Sequence, residues 1–135
     1  MSTLQLSADS SGGHPLRQRI EVGGFTLYAD APVGVGGSGS AAGPHEFFDA
    51  SLAACKALTV TLYARRKGWP LDYVDVALIR DASAEREGTY RLDVALTLHG
   101  ALDDAMREQL LSVAERCPIH KLMTTTTILI NTHLA

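Results

Sequence analysis

Gly43-Pro-His-Glu-Phe-Phe-Asp-Ala-Ser-Leu-Ala-Ala-Cys55-Lys-Ala-Leu-Thr-Val-Thr-Leu-Tyr-Ala-Arg-Arg-Lys67-Gly-Trp-Pro70 is the stretch whose reading decides the fold. Pro44 sits where a helix can begin, because its missing N–H is harmless in the first turn. From His45 to Lys67 the residues are mostly Ala, Leu and other apolar types, and Phe48, Leu52, Cys55, Thr59 and Leu62 follow the 3–4 spacing of one helix face. Ala50, Ala53, Ala54 and Ala57 fill much of the remainder, so the helix is expected to be buried nearly all round. Arg65, Arg66 and Lys67 suit the negative end of its dipole, Gly68 stands at the C′ stop, and Trp69-Pro70 ends it.

On the N-terminal side, Leu16–Val22 and Phe25–Ala29 are short runs parted by Gly23-Gly24, which reads as a β-hairpin on a two-residue turn. Gly34–Gly43, rich in Gly, Ser and Ala, reads as a flexible loop. It contains a G-x-G-x-x-G run, Gly34 to Gly39, but a dinucleotide site needs the helix to start inside the motif, within a parallel βαβ unit. Here the helix starts after it and the sheet reads as antiparallel. On the C-terminal side, Val74–Arg80 and Tyr90–His99 alternate around Glu87-Gly88 as a second hairpin. A second helix is expected from Asp103 to about Arg116, broken by Cys117-Pro118, with a short turn over Ile119–Met123. Thr124–Leu134, rich in Thr and Ile, reads as a strand. The order ββ-α-ββ-α-(α)-β makes an α+β fold with helices packed on antiparallel sheets.

A chain of 135 residues is expected to form one domain, 1–135, large enough to fold without disulfides. A net charge of −3 argues against a nucleic-acid partner, which would require a basic stripe. Residues Met1–Ser11 have neither the positive segment nor the apolar run of a leader, and Ile128–Ile130, read as the longest apolar stretch, is far too short to span a bilayer. The expectation is a cytoplasmic protein with no membrane partner. That compartment keeps thiols reduced, which argues against a structural staple between the two cysteines. The plainest reading is then a pair of buried, apolar thiols.

The motifs G-P-H-E-F-F-D-A-S-L-A-A-C (Gly43–Cys55), R-K-G-W-P-L (Arg66–Leu71) and C-P-I-H-K-L (Cys117–Leu122), in this order and on these elements, resemble the OsmC/Ohr family, the osmotically inducible and organic hydroperoxide resistance proteins, in a divergent branch. The resemblance covers nearly the whole chain from about Leu16. It implies antiparallel sheets wrapped around central helices in an intertwined homodimer, with sites at the subunit interface. It also implies a thiol-dependent peroxidase active in oxidative stress defence. In that reaction Cys55 attacks an organic hydroperoxide, Cys117 closes a disulfide, and a dithiol or lipoyl-type reductant reopens it. No bound cofactor or metal is implied.

Peroxide reduction needs a thiolate, and the sulfenic acid it forms must be trapped by a second thiol. Cys55 lies mid-helix and needs a cation nearby. Cys117, ahead of Pro118, can cap a helix whose dipole would acidify it, so local physics nominates Cys117 as the more acidic thiol while the resemblance nominates Cys55 as the attacking one. The family's supporting Glu and Arg carry over to Glu46 and to Arg17 or Arg19. Glu46, nine positions before Cys55, falls on the opposite face of an ideal helix, and reaches the thiol only from an irregular start or in the other subunit. The residue after Pro44 is His45, and the glycine run holds no Arg. His45 reads as a surface residue, and His120, one turn past Cys117, as a solvated residue that could tune that thiol. No Cys-x-x-Cys pair supports a zinc site.

Phe47, Phe48, Leu58, Trp69 and Met123 are candidate walls for an alkyl peroxide, and equally candidates for plain core. The competing reading is a non-catalytic dimer on the same fold, binding a small hydrophobic ligand or acting in stress tolerance. A cysteine hydrolase is weaker, since no Cys-His-Asp order is evident.

Overall fold

The computed structural model of the protein describes residues 2–9 and 11–135. The chain forms two compact units, Met1–Phe48 and Asp49–Ala135.

The first unit holds a three-stranded antiparallel sheet of β1 (Leu4–Ala8), β2 (Gln18–Val22) and β3 (Phe25–Ala29), with β2 in the middle. The β2–β3 hairpin is the one expected: Val22 pairs with Phe25, and Gly23 and Gly24 have φ of +56° and +81°, the left-handed pair that a tight hairpin turn demands. β1 was not expected from the sequence. The loop from Asp30 to Gly43 is pinned rather than free. The buried Asp30 carboxylate accepts from Ala31 N–H at 2.8 Å, Ser40 N–H at 3.0 Å and the Ser40 hydroxyl at 2.6 Å, and a Cβ on Gly37 would overlap the Ala31 carbonyl.

Helix α1 (Pro44–Lys67) has the expected ends. At its C-terminus Gly68, at φ +68°, donates to Arg65 O while Trp69 N–H donates to Ala64 O at 2.9 Å, the double closure of a Schellman cap. Within a single chain the expected burial all round is only partial. One stripe, Asp49, Leu52, Lys56, Val60 and Ala64, is buried, while Phe48, Leu58 and Leu62 are exposed. A single layer of structure can cover only one face of a helix.

In the second unit, β4 (Leu71–Asp81) and β5 (Arg91–Gly100) form a long antiparallel hairpin, running from Leu71 opposite Gly100 to Asp81 opposite Arg91. Helix α2 (Asp104–Glu115) starts at Asp103, whose carboxylate accepts Met106 N–H at 2.8 Å. Val60 and Ala64 of α1 pack on Leu110 and Ala114 of α2, walled by Trp69, Leu96, Leu98 and Leu102. The turn expected after Cys117 is a true helix, α3 (Pro118–Thr124). The strand expected at Thr124–Leu134 does not form, and Leu129 is 91% exposed and Leu134 98%. A strand needs a neighbour for its backbone groups, and among the described residues no strand pairs with the tail.

By length and composition α1 could cross a membrane, with a mean hydropathy of 1.2 over its best window, so the longest apolar stretch is α1 rather than Ile128–Ile130. Its buried stripe argues for a core helix instead. Asp49 is satisfied by β4 and the β5 approach, and Lys56 by α2 and α3, which a lipid-facing helix could not offer.

Candidate functional site: a buried dithiol with a lysine

Cys55 and Lys56 stand side by side on α1 and point in different directions. Lys56 lies on the buried stripe, 5% exposed, and Cys55 beside it is half-buried. Cys117 is fully buried at the hinge between α2 and α3, where it is the N-cap of α3 and Pro118 takes the first helical position. Its sulfur accepts the His120 N–H at 3.4 Å. Cys55 is close enough to Cys117 to raise the pKa of its thiol, so the two thiols that are far apart in sequence are neighbours inside one chain, both reduced. Cys55 Sγ also lies 3.8 Å from Thr59 Oγ1, one turn along α1.

Lys56 completes the cluster. Its ammonium donates to Ala114 O at 2.8 Å and lies 2.9 Å from His120 Nδ1. A lysine ammonium only donates, so His120 Nδ1 accepts and the ring proton sits on Nε2. His120 is thus tied into the site through its backbone to Cys117 and through its ring to Lys56, which corrects its reading as a solvated histidine.

The expectation that the helix cap acidifies Cys117 is corrected too. Burial pushes its pKa up, and that outweighs the His120 N–H, which lowers it; the neighbouring Cys55 adds to the rise, and the Lys56 charge opposes it. The capping geometry is present, but desolvation wins.

Beside the cluster lies a cavity of about 220 Å³. Leu52, Leu92, Val94 and Leu111 form apolar walls, and Lys56, His120 and Glu115 add polar atoms. None of Phe47, Phe48, Leu58, Trp69 and Met123 is on this wall. Trp69 packs against the α1–α2 core, edge-on to Tyr63, and Phe48 and Leu58 are exposed.

The remaining candidates belong to the first unit. Arg17 Nε lies 2.9 Å from Asp9 Oδ2, with its guanidinium 4.1 Å above the Tyr28 ring. Arg19, on β2, pairs with Glu21 at 2.7 Å. His45 and Glu46 occupy the first turn of α1. Lys56 is the residue that sequence reasoning missed, and its one signal was a lone lysine next to Cys55 inside an otherwise apolar run. Among the described residues, no group of three or more His, Cys, Asp or Glu side chains could hold a metal ion.

Fold and site together define an α+β protein that brings two reduced cysteines together beside a buried cation. The model of the OsmC-like protein family matches residues 37–133, and the chain belongs to that family. Among solved structures it resembles a Psychrobacter arcticus protein named for osmotic stress induction and detoxification response, at 23% identity, TM-score 0.72, over 93% of this chain and 90% of that one. The Legionella pneumophila organic hydroperoxide resistance protein OsmC matches at 22% identity, TM-score 0.62, over 93% and 90%. A Vibrio cholerae protein named for organic hydroperoxide resistance, with captopril bound in one of its active sites, matches at 26% identity, TM-score 0.56, over 93% and 85%. No curated protein matches the chain.

Proposed function

We propose that this protein is a thiol-dependent peroxidase that reduces organic hydroperoxides through a Cys55/Cys117 dithiol–disulfide cycle, in defence against oxidative stress. The observation that carries this reading is the neighbouring pair of a half-buried and a fully buried free cysteine. The names of the Legionella and Vibrio neighbours point the same way.

In this cycle the Cys55 thiolate attacks the terminal peroxide oxygen. The O–O bond breaks, the alkoxide takes a proton and leaves as the alcohol, and Cys55 becomes a sulfenic acid. The Cys117 sulfur then attacks the Cys55 sulfur and expels water, closing the disulfide. A dithiol or lipoyl-type reductant supplies two electrons and two protons to reopen it. Glu46 and either Arg17 or Arg19 hold the supporting roles that the family resemblance gives them. The working form is a cytoplasmic homodimer of a single 135-residue domain. The exposed apolar face of α1 and the unpaired tail support the dimer.

The apolar cavity favours one second reading, a non-catalytic dimer that holds a small hydrophobic ligand there. One experiment separates the two: hydroperoxide consumption with a dithiol donor, with free thiols titrated in parallel. The peroxidase loses two thiols per subunit and turns over, whereas the binding dimer keeps its thiols and consumes nothing.

A further inference from the structure

A single side chain makes polar contact with both helices that flank Cys117. Ala114 lies three residues before Cys117 at the end of α2, and His120 three residues after it in α3; Lys56 Nζ meets the first at 2.8 Å and the second at 2.9 Å. Lys56 is also the chain neighbour of Cys55. A lysine seldom goes 95% out of water without a task, because a buried charge is costly unless it is paired or hydrogen-bonded. The proposed cycle above assigns it none.

We propose that Lys56 is the positioning residue of the dithiol: it ties together the two helix ends around Cys117, holds that sulfur against Cys55, and sets a positive charge beside it, so that Cys117 departs as a thiolate when the disulfide is reduced. The inference takes its context from the thiol cycle proposed above. A reductant thiolate attacks the Cys55 sulfur, which is the less buried of the two. A bond forms between the reductant and Cys55, and the S–S bond breaks with its electron pair going to Cys117. The second reductant thiolate then displaces Cys55, closing the reductant's own disulfide, and both protein sulfurs take up protons. The reductant loses two electrons and the protein gains them.

Burial makes Cys117 a poor leaving group, and the ammonium offsets part of that penalty. The rate of disulfide reduction depends on how well the departing thiolate is stabilised. The titratable groups around it are Cys55, Lys56 and His120, with Glu115 on the wall of the adjoining cavity.

The test uses the full chain with its disulfide made by diamide, which removes two electrons and two protons from the thiol pair and needs no peroxidase activity. Reduction by dithiothreitol is then followed by stopped flow across pH. For Lys56→Met and Lys56→Gln the expectation is reduction slowed by about three- to tenfold, with the pH at which the released Cys117 ionises displaced upward. Lys56→Arg, which keeps the charge, should return to within about twofold of the parent. A role in packing alone would lower the melting temperature but leave the pH profile where it was. Unchanged rate and profile in Lys56→Met and Lys56→Gln would overturn the assignment. So would failure of diamide to join Cys55 to Cys117. Should neither neutral variant fold, nitrogen NMR of the parent decides: the proposal requires the His120 proton on Nε2, and an Nδ1-protonated ring defeats it. If the parent consumes no hydroperoxide yet the Lys56 variants show the reduction defect, the peroxidase reading falls and the Lys56 assignment stands.

Discussion

Arg80 reaches from β4 to α1 and grips Asp49, with one guanidinium nitrogen 2.6 Å and another 2.7 Å from the same carboxylate oxygen. Tyr90, just before β5, donates its hydroxyl to the other oxygen at 2.7 Å, and burial and the carboxylate hold the Tyr90 pKa above its ordinary value. The Asp49 carboxylate is thus the polar joint between the long hairpin and the helix that carries Cys55. Asp49→Ala should destabilise the protein by about 3 kcal/mol, the low end of the range for breaking a buried pair, because the Arg80 side chain is 31% exposed and can turn to water. Urea unfolding of Asp49→Ala, Arg80→Met and the double variant checks this. The double variant should be less damaged than the sum of the singles.

Much of this architecture was legible in the sequence because local chemistry marks it. Pro44 and Gly68 bracket α1, Gly23-Gly24 makes a hairpin turn that demands positive φ, and Cys117-Pro118 begins a new helix. What was not legible is settled by neighbours. β1 alternates Leu4, Leu6 and Ala8 with polar residues, but it is only five residues long and exposed throughout, and the tail has strand-forming residues but, among the described residues, no strand to join. Lys56 looks like any polar interruption of an apolar run until α2 and α3 fold over it. The capping position of Cys117 follows from Pro118, whereas the burial that reverses its acidity depends on the packing around it.

The Asp30 loop gives a prediction in acid. Hydrogen bonds from the Ser40 hydroxyl and backbone lower the Asp30 pKa from 3.8 to about 2. A carboxyl whose folded pKa lies below its unfolded one binds more protons when unfolded, so its contribution is complete above about pH 4 and is lost as pH falls through about 2. Ser40→Ala removes the largest of these causes. Its Asp30 resonance should titrate nearer the ordinary carboxylate range, and its stability should depend less steeply on pH in that window. An unmoved titration would show that the backbone N–H groups suffice.

Leu58 is 63% exposed and Leu62 50% exposed, one turn apart on the uncovered face of α1. In the proposed homodimer that face is buried, so Leu58→Glu should convert the dimer to monomer or weaken it by at least about tenfold, as a desolvated charge would cost more than 1.4 kcal/mol. Light scattering across a dilution series checks it. A dimer of unchanged affinity would place the interface elsewhere.

The two cysteines should fail differently. Cys55 is the more accessible thiol and Cys117 is fully buried, so a hydroperoxide meets Cys55 first. Cys55→Ser should therefore abolish peroxide reduction. Cys117→Ser should keep its fold, because a serine at the head of α3 can accept the His120 N–H as the sulfur does. It should still consume about one equivalent of hydroperoxide, leaving Cys55 as a sulfenic acid that nothing resolves and that oxidises further with excess peroxide. Turnover with a dithiol donor should fall without vanishing, since the donor can attack the sulfenic acid directly. Intact-mass spectrometry after a single equivalent reads each case: one added oxygen for Cys117→Ser, none for Cys55→Ser, and the loss of two hydrogens for the parent. If Cys117→Ser is the variant that gains no oxygen, the attacking and resolving roles are exchanged. If both variants consume peroxide as the parent does, the dithiol is not the seat of the reaction and the ligand-binding dimer becomes the better account.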